Sequence, residues 1–167
     1  MRIPLGAASL VIALVSSVPA IAATSGMVSG QGALSSDPRR NFSVSAKINA
    51  DGTASGHATL INKAFTGGNG KAPYLLQLDI KCGKMVDANT AIFGGTVKRT
   101  NDPSLVDTVY FSVQDNGEPG AAKDKVSRAY FFDNDPATTG DPALCLGATL
   151  TDLPLETIVS GNINVKS

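Results

Sequence analysis

The amino-acid sequence predicts an all-β fold, a single antiparallel β-barrel or sandwich of about eight or nine strands behind an N-terminal signal peptide. Three observations carry this prediction. Short runs of alternating apolar and polar residues recur along the chain, and helical periodicity is nearly absent. Clusters of Gly, Asn, Asp and Pro separate the runs. Among the 14 acidic residues only Glu118 and Glu156 are not Asp. That skew suits turns, where Asp bonds its own backbone, whereas Glu favours helices.

The alternation is clearest over Asn41–Ile48, where Phe42, Val44, Ala46 and Ile48 share one face of a strand. Asn49-Ala50-Asp51-Gly52 follows, its Asp-Gly pair signals a hairpin, and Thr53–Ile61 returns as the second arm. Further strands are expected at Met27–Leu34, Tyr74–Lys81, Thr90–Arg99, Val106–Gln114, Lys125–Phe132, Leu144–Leu150 and Thr157–Val165. Gly67-Gly68-Asn69-Gly70 reads as a flexible loop, Asn101–Ser104 as a turn and Asp115–Gly120 as a longer one. Asp133–Pro142 reads as a loop with two prolines, and a short helix has room within Pro136–Leu146. Pairing the first strand with the last would remove exposed edges, but alternation alone leaves barrel and sandwich both open.

Residues 1–22 read as a secretory signal peptide. Met1-Arg2 gives a positive start, Ile3–Ala23 carries no charge, and Ala20-Ile21-Ala22 has the small-x-small form that signal peptidase accepts, so cleavage is expected after Ala22 or Ala23. Pro4, Gly6, Ser9, Ser16, Ser17 and Pro19 make the stretch a poor membrane span. Residues 23–167 are then expected to form one secreted β domain, periplasmic or at the cell surface, with no later membrane span.

Loss of Arg2 leaves 13 basic residues (14 less one) against 14 acidic. Such a balance argues against general affinity for nucleic acid or anionic membrane. Cys82 and Cys145 are the only cysteines. An oxidising compartment favours pairing them, and the loop of about 60 residues so closed would add on the order of 4 kcal/mol in the chain-entropy model.

Few motifs offer chemistry. His57 is the single histidine, which removes multi-histidine metal sites and makes any Ser-His-Asp arrangement depend on it. Alternation puts it on the strand face opposite Ala58 and Leu60, exposed, and no G-x-S-x-G elbow supplies a nucleophile. Gly67-Gly68-Asn69-Gly70-Lys71 lacks the first glycine of a phosphate loop, where Phe65 stands, and the hydroxyl after the lysine, where Ala72 stands. Asp115, Asn116 and Asp124, with Glu118 between them, form an oxygen-rich turn, as do Asp133, Asn134 and Asp135. Asp115, Asn116 and Asp124 are calcium candidates because calcium takes oxygen ligands, although the spacing matches no EF-hand. Two glutamates are a thin basis for the paired carboxylates of a glycosidase. The absence of Trp and the sparse Tyr weigh against an aromatic sugar-stacking face. No cofactor is expected.

The run Val109-Tyr-Phe-Ser-Val-Gln-Asp-Asn-Gly-Glu-Pro-Gly120, with Asp124 after it, resembles a motif of small, largely uncharacterised secreted bacterial β domains, in which a strand ends in V-x-D-N-G-E-P-G. The resemblance extends to Gly30-Gln-Gly32, Phe42-Ser-Val44, Ala91-Ile-Phe93-Gly94 and Gly161-Asn-Ile163-Asn-Val165, and so covers nearly all of the chain after the signal. It implies a β fold and a secreted or surface-associated setting, and brings no catalytic residues. The two cysteines and the long Asp133–Pro142 loop depart from the pattern.

Three functional readings follow. The first is a non-enzymatic interaction or structural module whose partner is a cell-envelope or extracellular protein. The second is a small-ligand β-barrel carrier, which requires an internal cavity. The third is a hydrolase, which requires His57 or paired Asp residues to converge in a cleft.

Overall fold

A computed structural model of the chain describes residues 24–34, 40–63, 74–102, 107–117, 124–131 and 140–167. The signal peptide, the Gly67–Lys71 loop, Pro103 and Ser104, Glu118–Gly120 and the Asp133–Asp135 cluster lie outside the described residues. The strands are β1 (Gly26–Leu34), β2 (Arg40–Ile48), β3 (Thr53–Asn62), β4 (Tyr74–Asp87), β5 (Thr90–Thr100), β6 (Thr108–Gln114), β7 (Lys125–Ser127) and β8 (Leu155–Lys166). Each pairs antiparallel with its sequence neighbour, and β1 pairs with β8 to close a barrel of these eight strands. Closure decides between the barrel and the sandwich.

The hairpin between β2 and β3 follows directly from its sequence. Val44 faces Ala58 and Ile48 faces Ala54 across the pair. In the turn, Thr53 donates its amide to Asp51 Oδ1 (2.9 Å), and Asn49 donates its own to the Thr53 carbonyl (2.9 Å). The alternating residues point inward and join one apolar cluster containing Phe42, Val44, Leu76, Leu78, Ile80, Phe93 and Phe111, among others. Phe93 and Phe111 are cross-strand partners whose rings stack 5.3 Å apart. Such a pair is worth about 0.5–1.5 kcal/mol beyond its burial.

β5 and β6 depart from alternation: Thr90–Gly95 and Thr108–Val113 are buried without a break. Both faces of these strands are covered. Outward-pointing Ile92 and Tyr110 form a second apolar cluster with Cys82, Cys145, Ala148 and Leu153. Residues 140–153 thus lie as a strap over the outside of β4, β5 and β6.

The strap corrects one expectation. The segment Leu144–Leu150 is no strand; Pro142–Leu146 forms a 3-10 helix, within the region where a short helix had room. Asp141 caps it by accepting the Ala143 amide (2.9 Å), and proline stands in its first turn, a pairing that favours helix initiation. Two smaller differences concern neighbouring strands. β7 stops at Ser127, and only an isolated bridge from Tyr130 to Tyr110 continues it. β4 runs on to Asp87, past the expected end at Lys81.

Candidate functional site

The calcium candidates have structural employment. Beyond its pairing with β7 at Leu155–Thr157, β8 has an edge that no strand covers among the described residues. Two aspartates cover it instead. Asp124 accepts the Asn116 amide on Oδ1 (2.9 Å) and the Ile163 amide on Oδ2 (2.8 Å), and its carbonyl accepts from Ile158 (3.0 Å). Asp115 accepts the Gly117 amide on Oδ1 (2.9 Å) and the Val165 amide on Oδ2 (3.0 Å). Asn116 contributes its amide to this clasp rather than a ligand oxygen. Five extended residues would put the Ile158 and Ile163 amides about 17 Å apart, too far for one residue to reach both. β8 therefore bends sharply around Asp124. Gly161, at φ +100°, supplies a backbone conformation that L side chains rarely adopt, and a side chain there would meet the Gln31 carbonyl. Among the described residues no group of three His, Cys, Asp or Glu side chains is placed to hold a metal ion.

Cys82 and Cys145 form a disulfide with Cα atoms 6.2 Å apart, joining β4 to the strap. Hydroxyl donors from β6 hold the strap further. Thr108 donates to the Gly140 carbonyl, Tyr110 to that of Asp141 (2.7 Å), and Ser112 to that of Leu153 (2.8 Å). Lys84 donates to the Leu146 carbonyl (2.7 Å). Burial lowers the pKa of its ammonium, against a smaller opposing effect of the Asp152 charge.

His57 stands outward on β3, as alternation predicts, but it is not alone. Its Nδ1 lies 2.9 Å from Oδ1 of Asp79, its register partner on β4, and Lys98 Nζ lies 3.3 Å from the same oxygen. Desolvation acts to raise the Asp79 carboxyl; the Lys98 hydrogen bond and charge, with His57, outweigh it and hold the pKa below the usual value. Ser45 is the register partner of His57 on the other side, in β2. No hydroxyl hydrogen-bonds the imidazole among the described residues, and the His57 side chain is 72% exposed. Glu156 accepts from both Arg40 and Arg128, so it is held in an ion cluster rather than poised opposite a second carboxylate.

A groove of about 920 Å³ lies on the outside of the barrel, across β8, β1, β2 and β3. Strand register arranges its outward side chains in rows. Lys166, Met27, Lys47 and Ser55 form one row, and Asn164, Ser29, Ser45 and His57 form the next. A third begins with Asn162 and Gln31. The groove lining includes no Asp or Glu. Part of its floor is bare backbone. Gly30 faces inward on β1, and a Cβ there would sit 2.6 Å from the Asn162 carbonyl oxygen and 2.8 Å from Ile163 Cα, so only glycine lets β1 and β8 approach this closely. Asn162 Oδ1 is buried with no hydrogen-bond partner.

Comparison with protein-family models, curated proteins and solved structures returned no match. What defines the class is therefore the geometry itself: an eight-stranded antiparallel barrel with a disulfide-tied strap on one side and a polar groove on the other. Reasoning from sequence missed the groove and the partner of His57. Alternation on adjacent strands was the available signal for Asp79. For the groove, the signal would have required knowing that β8 returns to β1.

Proposed function

We propose that the protein is a non-enzymatic, secreted or surface-associated module that engages a component of the cell envelope or extracellular space through the groove over β8, β1, β2 and β3. The observation that carries this reading is the groove, a concave outer face that neither the core nor the strap occupies. Concave surfaces with convergent polar groups are the usual places for binding. Export is supported by the signal-like start, by the resemblance to secreted bacterial domains, and by the disulfide, which suits an oxidising compartment.

The two other readings have less behind them. A carrier needs interior space, and the inward positions are filled by one contiguous cluster from Val28 to Val165. A hydrolase would have the His57–Asp79 pair, yet that pair lacks a bonded nucleophile and lies open to water, where its electrostatic effect is weak.

The test is binding to isolated envelope material. Ser29→Leu with Ser45→Leu fills the groove with neutral bulk and is expected to weaken retention at least about tenfold, a loss of roughly 1.4 kcal/mol. Leu144→Ser, on the exposed face of the strap, is expected to leave it unchanged. Retention unaffected by the groove substitutions would contradict the reading.

A further inference from the structure

Resting on that reading of the groove, we infer that its ligand is an acidic polysaccharide, bound by the Lys47 and Lys166 ammonium groups and by the side-chain amides and hydroxyls between β8 and β3. Three observations carry the inference.

The first is charge. Lys166 and Lys47 flank Met27 in register on either side, which puts their strand positions about 10 Å apart. With no carboxylate in the lining, this end of the groove is cationic on a chain whose formal charge is zero. Asp79, beside His57, is engaged by His57 and Lys98.

The second is composition. Protein-binding surfaces are enriched in aromatic residues, Met and Arg at their centres and depleted in Ser and Lys. Apart from Met27, this groove has the reverse: Ser29, Ser45 and Ser55 with the two lysines, and no Arg, Phe, Tyr or Trp. An extended peptide could add to a sheet at an edge, but β1, β2 and β3 are each paired on both sides. A partner must be recognised by side chains alone. Gln31, Asn162 and Asn164 each offer a donor and an acceptor, and the serines do the same, which matches a polymer of hydroxyls better than a polypeptide backbone.

The third is Asn162. A buried acceptor without a donor costs about 1–3 kcal/mol, and Oδ1 of Asn162, in the groove wall, is such an atom. A small rotation of the side chain would present it to a ligand hydroxyl. The lack of aromatic platforms removes stacking on neutral sugars and leaves recognition to charge and hydrogen bonds.

The experiment measures binding of the exported protein to three immobilised probes: polygalacturonate, dextran and poly-glutamate. Binding to polygalacturonate is expected, decreasing as salt rises, with at least tenfold weaker binding to dextran and to poly-glutamate. Lys47→Glu with Lys166→Glu should weaken polygalacturonate binding at least tenfold while the melting temperature stays unchanged. Ser29→Ala with Ser45→Ala should weaken it without altering the salt dependence. Equal binding to poly-glutamate would reduce the groove to a charge patch open to acidic proteins and overturn the inference. So would no binding to polygalacturonate, or indifference to the lysine reversal. If envelope retention still depends on Ser29 and Ser45 when polygalacturonate does not bind, the groove stands as the interaction face and only the ligand class falls.

Discussion

Asp124 shows how one side chain can substitute for a strand. It is 5% exposed, and both carboxylate oxygens receive backbone amides, from Asn116 and Ile163. Hydrogen bonds to an ionised acceptor in such a site contribute about 1.5–3 kcal/mol each, and deleting the acceptor leaves the donors unsatisfied. Asp124→Ala is therefore expected to destabilise the protein by about 3–5 kcal/mol in denaturant unfolding. Asp124→Asn, which keeps one carbonyl acceptor, should cost less. A loss under about 1 kcal/mol for the alanine variant would mean that the clasp does not hold β8. The Asp115-Asn116-Gly117 run was legible in the sequence as a turn. Its use in a clasp was not, because the Val165 amide that Asp115 receives lies 50 residues further on, and the Ile163 amide that Asp124 receives lies 39 further on.

At the scale of elements, the strands whose outer face is solvated were legible. In β2 the alternation of Phe42, Val44, Ala46 and Ile48 matches an inward row, because one side of the strand meets the core and the other meets water. β5 and β6 were legible as strands, but nothing local identified what buries Ile92 and Tyr110 on the outside. That cover is the strap, and it was misread at Leu144–Leu150. Leu144 and Leu146 alternate with Cys145 and Gly147 as a strand would, yet Leu144 and Leu146 are the exposed residues and Cys145 the buried one. The proline at the helix start and the Asp141 cap decide the local conformation, and the disulfide orients it. Cys82→Ser with Cys145→Ser is expected to cost about 2–5 kcal/mol. Amide exchange should accelerate at Gly147, Ala148 and Leu153, which bond within the strap, and much less in β1–β3. Uniform acceleration across the barrel would show that strap and barrel open as one unit.

On the scale of the whole molecule, closure joins the chain's first and last strands and thereby makes the groove. Lys47 and Lys166 are 119 positions apart in sequence (166 less 47), yet they stand on either side of Met27 because β1 lies between β2 and β8. This is why the candidate site was the least legible feature. Each of its residues reads alone as a solvated outward position, and only the register of three strands turns them into a surface. The two sides of the barrel are accordingly different. The side under the strap is apolar and sealed, with Leu144 and Leu146 as its exposed apolar residues, while the groove side is polar and open, with Met27 62% exposed within it.

That exposure makes Met27 a built-in reporter, because an accessible thioether is readily oxidised to the sulfoxide. The most direct test of the groove as the interaction face is oxidative footprinting of the protein free and bound to envelope material, read by mass spectrometry at Met27, Leu144 and Leu146. Met27 is expected to become protected at least about fivefold on binding, relative to the exposed thioether of the free protein, while Leu144 and Leu146 oxidise as before. Protection of the two leucines with Met27 unchanged would place the interaction on the strap and rule out the groove as the interaction face.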